Sequence, residues 1–264
     1  MTELDERTLT ATAERVAAAR LTRRRLARLA GLATVEDGYR VQQRANALLE
    51  PHLGPRVGHK IGGTTELMRR YLNVPEPMGG EIFRHQLHPD GASVVSTDFV
   101  RLGIETEIAV RLARDLPPRP EPYARADAAA AVGELMAAIE LVDDRYDDFT
   151  AIGAPTLIAD NAFDAGSLLG PAVTDWRHLD LGNLVARTRR DGAVVAEGRS
   201  DALLGHPLDA LAWLAERRSS LGLGLAAGTF VSLGSITPVQ WVDDGPAVYR
   251  IEVEALGAVM VEVA

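Results

Sequence analysis

The chain opens on apolar positions spaced three and four residues apart. Ala and Leu dominate residues 6 to 51 and recur at that spacing, which predicts helices. Gly31 is expected to break the first helix. Thr34, followed by Glu36 and Asp37, supplies the N-cap of the second, and Pro51 to Pro55 closes the helical section. The pattern then changes. RVGHKIGG at 56–63 predicts a strand entering a glycine turn, and TELMRRYLNV at 65–74 a short helix ended by Pro75 and Pro77. Residues 81–103 read as short strands and turns, with HPDGA a turn signal. GIETEIAVRLARDL at 103–116 alternates and predicts a strand, followed by the loop PPRPEP. Residues 126–139 read as an Ala-rich helix running into IELVDDRY. Residues 146–170 read as a long irregular segment, of a kind often functional inside a compact domain.

The last third predicts a hairpin, LVARTRRDGAVVAEG, turning on Asp191-Gly192. A helix follows, HPLDALAWLAERRSSLG, closed by Gly222. The strands TFVSLGS, AVYRIEVEAL and AVMVEVA complete the chain, the last two joined across Gly257. The expected class is α+β: a mixed, β-rich domain over residues 57–264, with residues 1–56 packed on it as a helical region.

Composition narrows the function. The 264 residues are 47% hydrophobic and 25% charged, enough for a sizeable core. The net charge of −9 argues against a nucleic-acid partner, because phosphate binding needs a basic face. The one basic run, Arg23-Arg24-Arg25 with Arg28, reads as the solvated face of a helix. With no cysteine, thiolate nucleophiles, disulfides and Cys-ligated metals are excluded. The acidic, polar start MTELDERTLTATAERV is unlike a signal peptide, and no apolar run approaches the ~20 residues that span a bilayer. A soluble, cytoplasmic chain without a membrane partner is expected.

Of 28 Lys and Arg residues, a single one is Lys: Lys60, within GHKIGGTT. An Arg-rich coding habit leaves a stray lysine by chance. Lys also does what Arg cannot, since its compact charge releases a proton when desolvated. Val57 and Ile61 flank it, and Gly58, Gly62 and Gly63 permit close approach of backbone or ligand.

Glu105 and Glu107 share one face of a strand, with Cα atoms roughly 6.5–7 Å apart, and Ala109 leaves space beside them. Two nearby carboxylates repel unless a cation or proton lies between them. Glu140, between the apolar run ELMAAI and Leu141-Val142, is expected to be buried, which is costly without a partner. Three carboxylates suit a hard cation such as Mg²⁺ or Mn²⁺. The bland reading stands beside it: E-x-E is usually the wet face of an edge strand, and Glu140 could cap a helix or pair with Arg145. His59 and His206 read as structural, and Asp143-Asp144 and Asp147-Asp148 as solvated or capping pairs. Asp160 and Asn161, in the irregular segment, are lid or substrate contacts.

GHKIGGT, ETEIA and AIELVDDR, followed in order by IADNA at 158–162, LLGHPLDALAWLA at 203–215 and GTFVSLGS at 228–235, resemble the 2-oxopent-4-enoate hydratase and 4-oxalocrotonate decarboxylase family, part of the fumarylacetoacetate hydrolase fold group. The resemblance covers nearly the whole chain. It implies a β-rich roll or sandwich core, a homo-oligomer, Glu105, Glu107 and Glu140 as ligands of Mg²⁺ or Mn²⁺, and Lys60 in the active site. Gly63 and Thr64, in the glycine turn of the matching segment, join Asp160 and Asn161 as substrate-binding candidates. Two positions depart. Where the family commonly places Asp after NVPEP, this chain has Met78, and where it commonly has Ser after DNA, this chain has Phe163. Glu81 is a candidate substitute for the missing acid, and Phe163 for shaping an apolar pocket.

The implied reaction is metal-dependent addition of water to a short unsaturated 2-oxo acid. Metal Lewis acidity would stabilise the enolate-like charge, and Lys60 would hold the oxyanion or move protons. Decarboxylation of a 2-oxo dioate, hydrolysis of an acylpyruvate C–C bond, a Schiff-base lyase on Lys60, and a non-catalytic binding or assembly role are the alternatives.

Overall fold

The computed structural model describes residues 4–243 and 245–264. Two helices lead: α1 (Glu6–Thr22) and α2 (Val35–Leu53). Then come β1 (Arg56–Gly62), α3 (Glu66–Leu72), β2 (Met78–Phe83), β3 (Leu87–His88), β4 (Ala92–Val94) and β5 (Leu102–Leu112). The middle holds α4 (Arg125–Ala131), β6 (Val132–Asp143), α5 (Ala154–Ala159) and β7 (Asp164–Leu169). The hairpin β8 (Val185–Arg190) and β9 (Ala193–Arg199) is followed by α6 (Pro207–Ser220), β10 (Phe230–Ser235), β11 (Gln240–Trp241), β12 (Ala247–Val253) and β13 (Gly257–Val263).

Local chemistry accounts for the helix ends. Thr34 accepts a hydrogen bond from the Asp37 amide while the Asp37 carboxylate accepts from the Thr34 amide, a reciprocal box that starts α2. Val41, Ala45 and Leu49, four apart, form its buried stripe. The helix runs through Pro51 and ends at Leu53. Gly31 does not end α1. The helix stops at Thr22, where Arg23 takes a left-handed cap conformation and the Leu26 amide turns to the Arg145 carbonyl. The arginine run is therefore a loop rather than a helix face, with Arg23 on Asp98 and Arg25 on Asp147.

The strands build two sheets. The larger has eight strands in the order β2-β1-β10-β5-β6-β7-β3, with β11 also paired to β5. The smaller runs β4-β13-β12-β8-β9. Ile104, Ile108 and Val110 of β5 share one apolar cluster with Ile251, Val259 and Val261 of the smaller sheet. The Thr106 and Thr188 hydroxyls, 2.6 Å apart, join the two layers inside it. By strand parity Glu105, Glu107 and Ala109 face the opposite side. The expected mixed, β-rich core with N-terminal helices is what the chain builds.

The Ala-rich stretch corrects the sequence reading. Only Arg125–Ala131 is helical; β6 begins at Val132 and pairs with β5 from Leu112↔Val132 to Leu102↔Asp143. Most of β6 is buried on both faces, so its sequence lacks the alternation that marks a half-exposed strand. Glu140 thus sits within a strand and not at a helix junction. Residues 146–170 are likewise not irregular throughout, since they hold α5 and β7. Among the described residues, no helix is long and apolar enough to cross a membrane.

Candidate active site

Four neighbouring strands, β1, β10, β5 and β6, supply the site. Glu105 stands opposite Glu140 in the β5–β6 register, and Glu107 lies two residues along β5. One carboxylate oxygen from each of the three falls within 4.8 Å of the others. Glu107 and Glu140 are fully buried, whereas Glu105 is partly open to a cavity of about 460 Å³. Glu107 Oε2 accepts from the Ser232 hydroxyl and, at 3.0 Å, from the Gly234 amide. Among the described residues, Glu107 Oε1 and Glu140 Oε2 have no hydrogen-bond partner.

Such an arrangement is unstable as three free anions. Burial, with the neighbouring Glu107, pushes Glu105 up to about 7. Burial also pushes Glu140 up to about 8; Lys60 opposes that shift and Glu105 reinforces it. Glu107 is raised well above the ordinary range, first by burial and then by Glu140. Buried carboxylate oxygens without donors, converging within a few ångströms, are what a hard divalent cation requires. The three residues fit a Mg²⁺ or Mn²⁺ ion.

Lys60 reaches this cluster from β1. Its ammonium lies 2.9 Å from Glu140 Oε1 and donates to the Ala162 carbonyl at 2.8 Å. Burial pulls its pKa down, but the carboxylates of Glu140, Glu105 and Glu107 outweigh that, and the net shift is upward. Lys60 therefore stays protonated beside the acids. Its stem crosses Gly80, its register partner on β2; a Cβ there would come within 2.9 Å of Lys60 Cδ. Glycine at 80 is the space that lets the lysine lie flat.

The carbonyl that Lys60 meets belongs to a strained turn. Asn161, Ala162 and Phe163 have φ of 58°, 49° and 67°, three successive non-glycine residues in the left-handed region. Asn161 holds the turn: its amide donates to the Glu81 carbonyl at 2.7 Å, and its carbonyl accepts the Glu81 amide at 2.9 Å. Just before the turn, Asp160 is gripped by Arg145 at 3.0 and 3.1 Å, and Arg145 also binds Asp143.

The sequence candidates divide accordingly. Lys60, Glu105, Gly63 and Thr64 line the cavity, with Glu107 and Glu140 behind Glu105. Asp160 and Asn161 do not reach it: Asp160 is tied up in a buried ion pair, and Asn161 pins backbone. Both hold the turn in place in this structure. Glu81 points elsewhere too, bound to Arg56, Arg218 and Asn46. Asp143 and Asp144 are buried rather than solvated, Asp143 accepting from the Val100 and Arg101 amides. Asp147 and Asp148 are exposed. His206 caps α6, its Nδ1 accepting from the Leu208 amide. His59 is buried, and burial, reinforced by Arg218 and Arg56, pulls its pKa well below the usual value. Ser232 and the Ala162 carbonyl escaped the sequence reading. Ser232 left a signal, a polar side chain within the apolar strand TFVSLGS, where buried hydroxyls require a partner.

The chain matches the fumarylacetoacetate (FAA) hydrolase C-terminal family over residues 74–264. It is 35% identical over 221 residues to a 2-keto-4-pentenoate hydratase of Burkholderia vietnamiensis, covering 84% of this chain and 83% of that one. It is 30% identical over 227 residues to a 4-oxalocrotonate decarboxylase of Pseudomonas putida, covering 86% and 84%. Its fold superposes on the 4-oxalocrotonate decarboxylase from Pseudomonas putida G7, complexed with magnesium and adipate, with a TM-score of 0.92, 27% identity and full coverage of both chains.

Proposed function

The chain belongs to the fumarylacetoacetate hydrolase family, and from that premise we propose that it is a divalent-metal-dependent hydratase, a lyase that adds water to an unsaturated 2-oxo acid of the 2-oxopent-4-enoate type and yields a 4-hydroxy-2-oxo acid. The observation that carries this reading is the convergence of Glu105, Glu107 and Glu140 oxygens within 4.8 Å at the base of a cavity that Lys60 also lines. In this reading the three carboxylates hold Mg²⁺ or Mn²⁺. When bound, the metal supplies Lewis-acid stabilisation of charge developing on the substrate's 2-oxo oxygen.

The protein's own residues do the rest. Lys60, kept protonated by its acidic neighbours, presents a proton at Nζ where the enol and keto forms of the substrate interconvert. The Ala162 carbonyl fixes Nζ in place, so the proton is aimed before substrate arrives. Ser232 and Gly234 hold Glu107 in one orientation. Gly63 and Thr64 form the turn against which the acid head would lie, and the apolar wall limits access of bulk water. The partner is a small-molecule 2-oxo acid. Self-association, which the sequence resemblance implies, and the cytoplasmic location expected from the polar, acidic start of the chain complete the proposal.

Decarboxylation of a 2-oxo dioate is the second reading, supported by the likeness to the decarboxylase fold. The test is product analysis with the purified chain in Mg²⁺. Conversion of 2-hydroxypenta-2,4-dienoate to 4-hydroxy-2-oxopentanoate, followed by NMR, is the expected result. Release of CO₂ from 4-oxalocrotonate with no change in the dienoate would overturn it.

A further inference from the structure

The cavity changes character away from the carboxylates. Among the described residues, Lys60 is the only basic side chain that lines it and Glu105 the only acidic one. Beyond them the wall is mostly aromatic and aliphatic, its remaining polar side chains being the uncharged hydroxyls of Thr64, Thr65, Ser235 and Thr237. The Phe149 ring is its centre, meeting Tyr71 and Phe163 edge-on at 5.7 Å between centroids and Trp241 at 6.0 Å. Met78 and Met68 complete it. On the rim, Leu67 and Tyr71 of α3 are 78% and 55% exposed.

Arg69 and Arg101 stand near this wall, and neither lines the cavity. Arg69 is directed to the carbonyls of Gly63 and Thr64, both at 2.9 Å. Arg101 stacks on the Trp241 ring at 4.3 Å and is held by Asp144 and Asp243. A second carboxylate on the substrate would lose water against this wall without gaining a cation, which is unfavourable. An apolar group there gains buried area and edge-on ring contacts. The volume, about 460 Å³, lies in the range of ~300–1,000 Å³ found for drug-sized ligands, well beyond a pentenoate. Phe163 is not a loose lining residue either, since the Asn161-clamped left-handed turn fixes its backbone.

We infer that the substrate is a 2-oxo monoacid whose end remote from the oxo acid head carries an apolar alkyl or aryl group, with Phe149 and Phe163 determining that specificity. The inference rests on the hydratase reading for the placement of the head; the lining alone supplies the tail.

Calorimetric titration with saturated 2-oxo acids in Mg²⁺ tests it, because these acids bind without being hydrated. Wild type should bind 4-phenyl-2-oxobutanoate at least tenfold more tightly than 2-oxobutanoate, and 2-oxoadipate no more tightly than 2-oxobutanoate. In Phe163→Ser, and separately in Phe149→Ala, the phenyl-to-unsubstituted ratio should fall to threefold or less, with folding checked by circular dichroism. Equal affinities for all three acids, or 2-oxoadipate binding as tightly as the phenyl acid, would overturn the inference. Hydration of the dienoate, unsubstituted and with a terminal phenyl group, is assayed on the same sample. Failed hydration of both with the affinity order intact removes the hydratase reading and leaves the apolar tail. Working hydration with a flat order removes the tail. No Mg²⁺-dependent binding of any acid removes both.

Discussion

Lys60 Nζ lies 2.9 Å from Glu140 Oε1, with side-chain exposures of 2% and 0%. A buried ion pair of this kind is poor evidence for stability, because desolvating both charges offsets much of their attraction. Its presence, with two further carboxylates beside it, is better explained by chemistry. The pair sets a proton donor beside a carboxyl group in a site that already lacks enough donors for its acids.

Replacing Lys60 should therefore damage catalysis far more than folding. Lys60→Met should lower kcat/KM by ~10²–10⁴, the usual contribution of a positioned proton donor. Lys60→Arg should do no better, since the wider guanidinium has to cross Gly80 and meet Ala162 where the lysine stem already fits closely. Steady-state kinetics on folded variants checks this. Activity within threefold of wild type in Lys60→Arg would exclude the proton-transfer role.

The acids predict an unusual dependence of stability on pH. Glu105 and Glu140, raised to about 7 and about 8, bind protons more tightly in the folded state than in the unfolded one. Their contribution to stability is full below the ordinary carboxylate range and is lost as pH rises through the folded values. The metal-free protein should melt progressively lower between pH 5 and about 8. The Mg²⁺-induced rise in Tm should grow over the same interval, because the ion needs the ionised carboxylates. Thermal melts across that range, with Mg²⁺ and with a chelator, measure both slopes.

Ser232→Ala should weaken metal binding by ~10–100-fold, the usual effect of removing an outer partner of a ligand. The Ser232 hydroxyl and the Gly234 amide hold one oxygen of Glu107 and leave the other for the ion. Mn²⁺ titration followed by electron paramagnetic resonance reads this without reference to turnover.

Asn161→Ala should leave the Glu81 amide and carbonyl without partners and release the left-handed turn. A stability loss of ~1–3 kcal/mol is expected from the unsatisfied groups. The activity loss should exceed what the lowered Tm accounts for, since the Ala162 carbonyl no longer fixes Lys60. Activity measured well below the melting temperature separates the two.

The sequence conveyed the strand-borne part of this site and not the loop-borne part. Glu105 and Glu107 share a face by strand parity alone, and IETEI announces its period. Glu140 was legible as a buried acid but not as the register partner of Glu105, because β6 is buried on both faces and reads like the helix before it. The segment containing Asp160 and Asn161 looked like a lid. Its order comes from contacts distant in sequence, Arg145 to Asp160 and Asn161 to Glu81, which no local pattern encodes. The arginine run at 23–25 misled for the same reason: the Arg145 carbonyl captures the Leu26 amide and turns the chain out of helix.

The three carboxylates hold a divalent metal that receives a 2-oxo acid in the proposed reaction. The most direct measurement is calorimetric titration of Mn²⁺ and Mg²⁺ into wild type and Glu107→Ala, with and without oxalate as a mimic of the acid head. One site per chain is expected in wild type, tighter with oxalate, with loss of both binding and the oxalate effect in the variant. Metal binding that persists unchanged in Glu107→Ala, or wild type that binds neither ion, would contradict it.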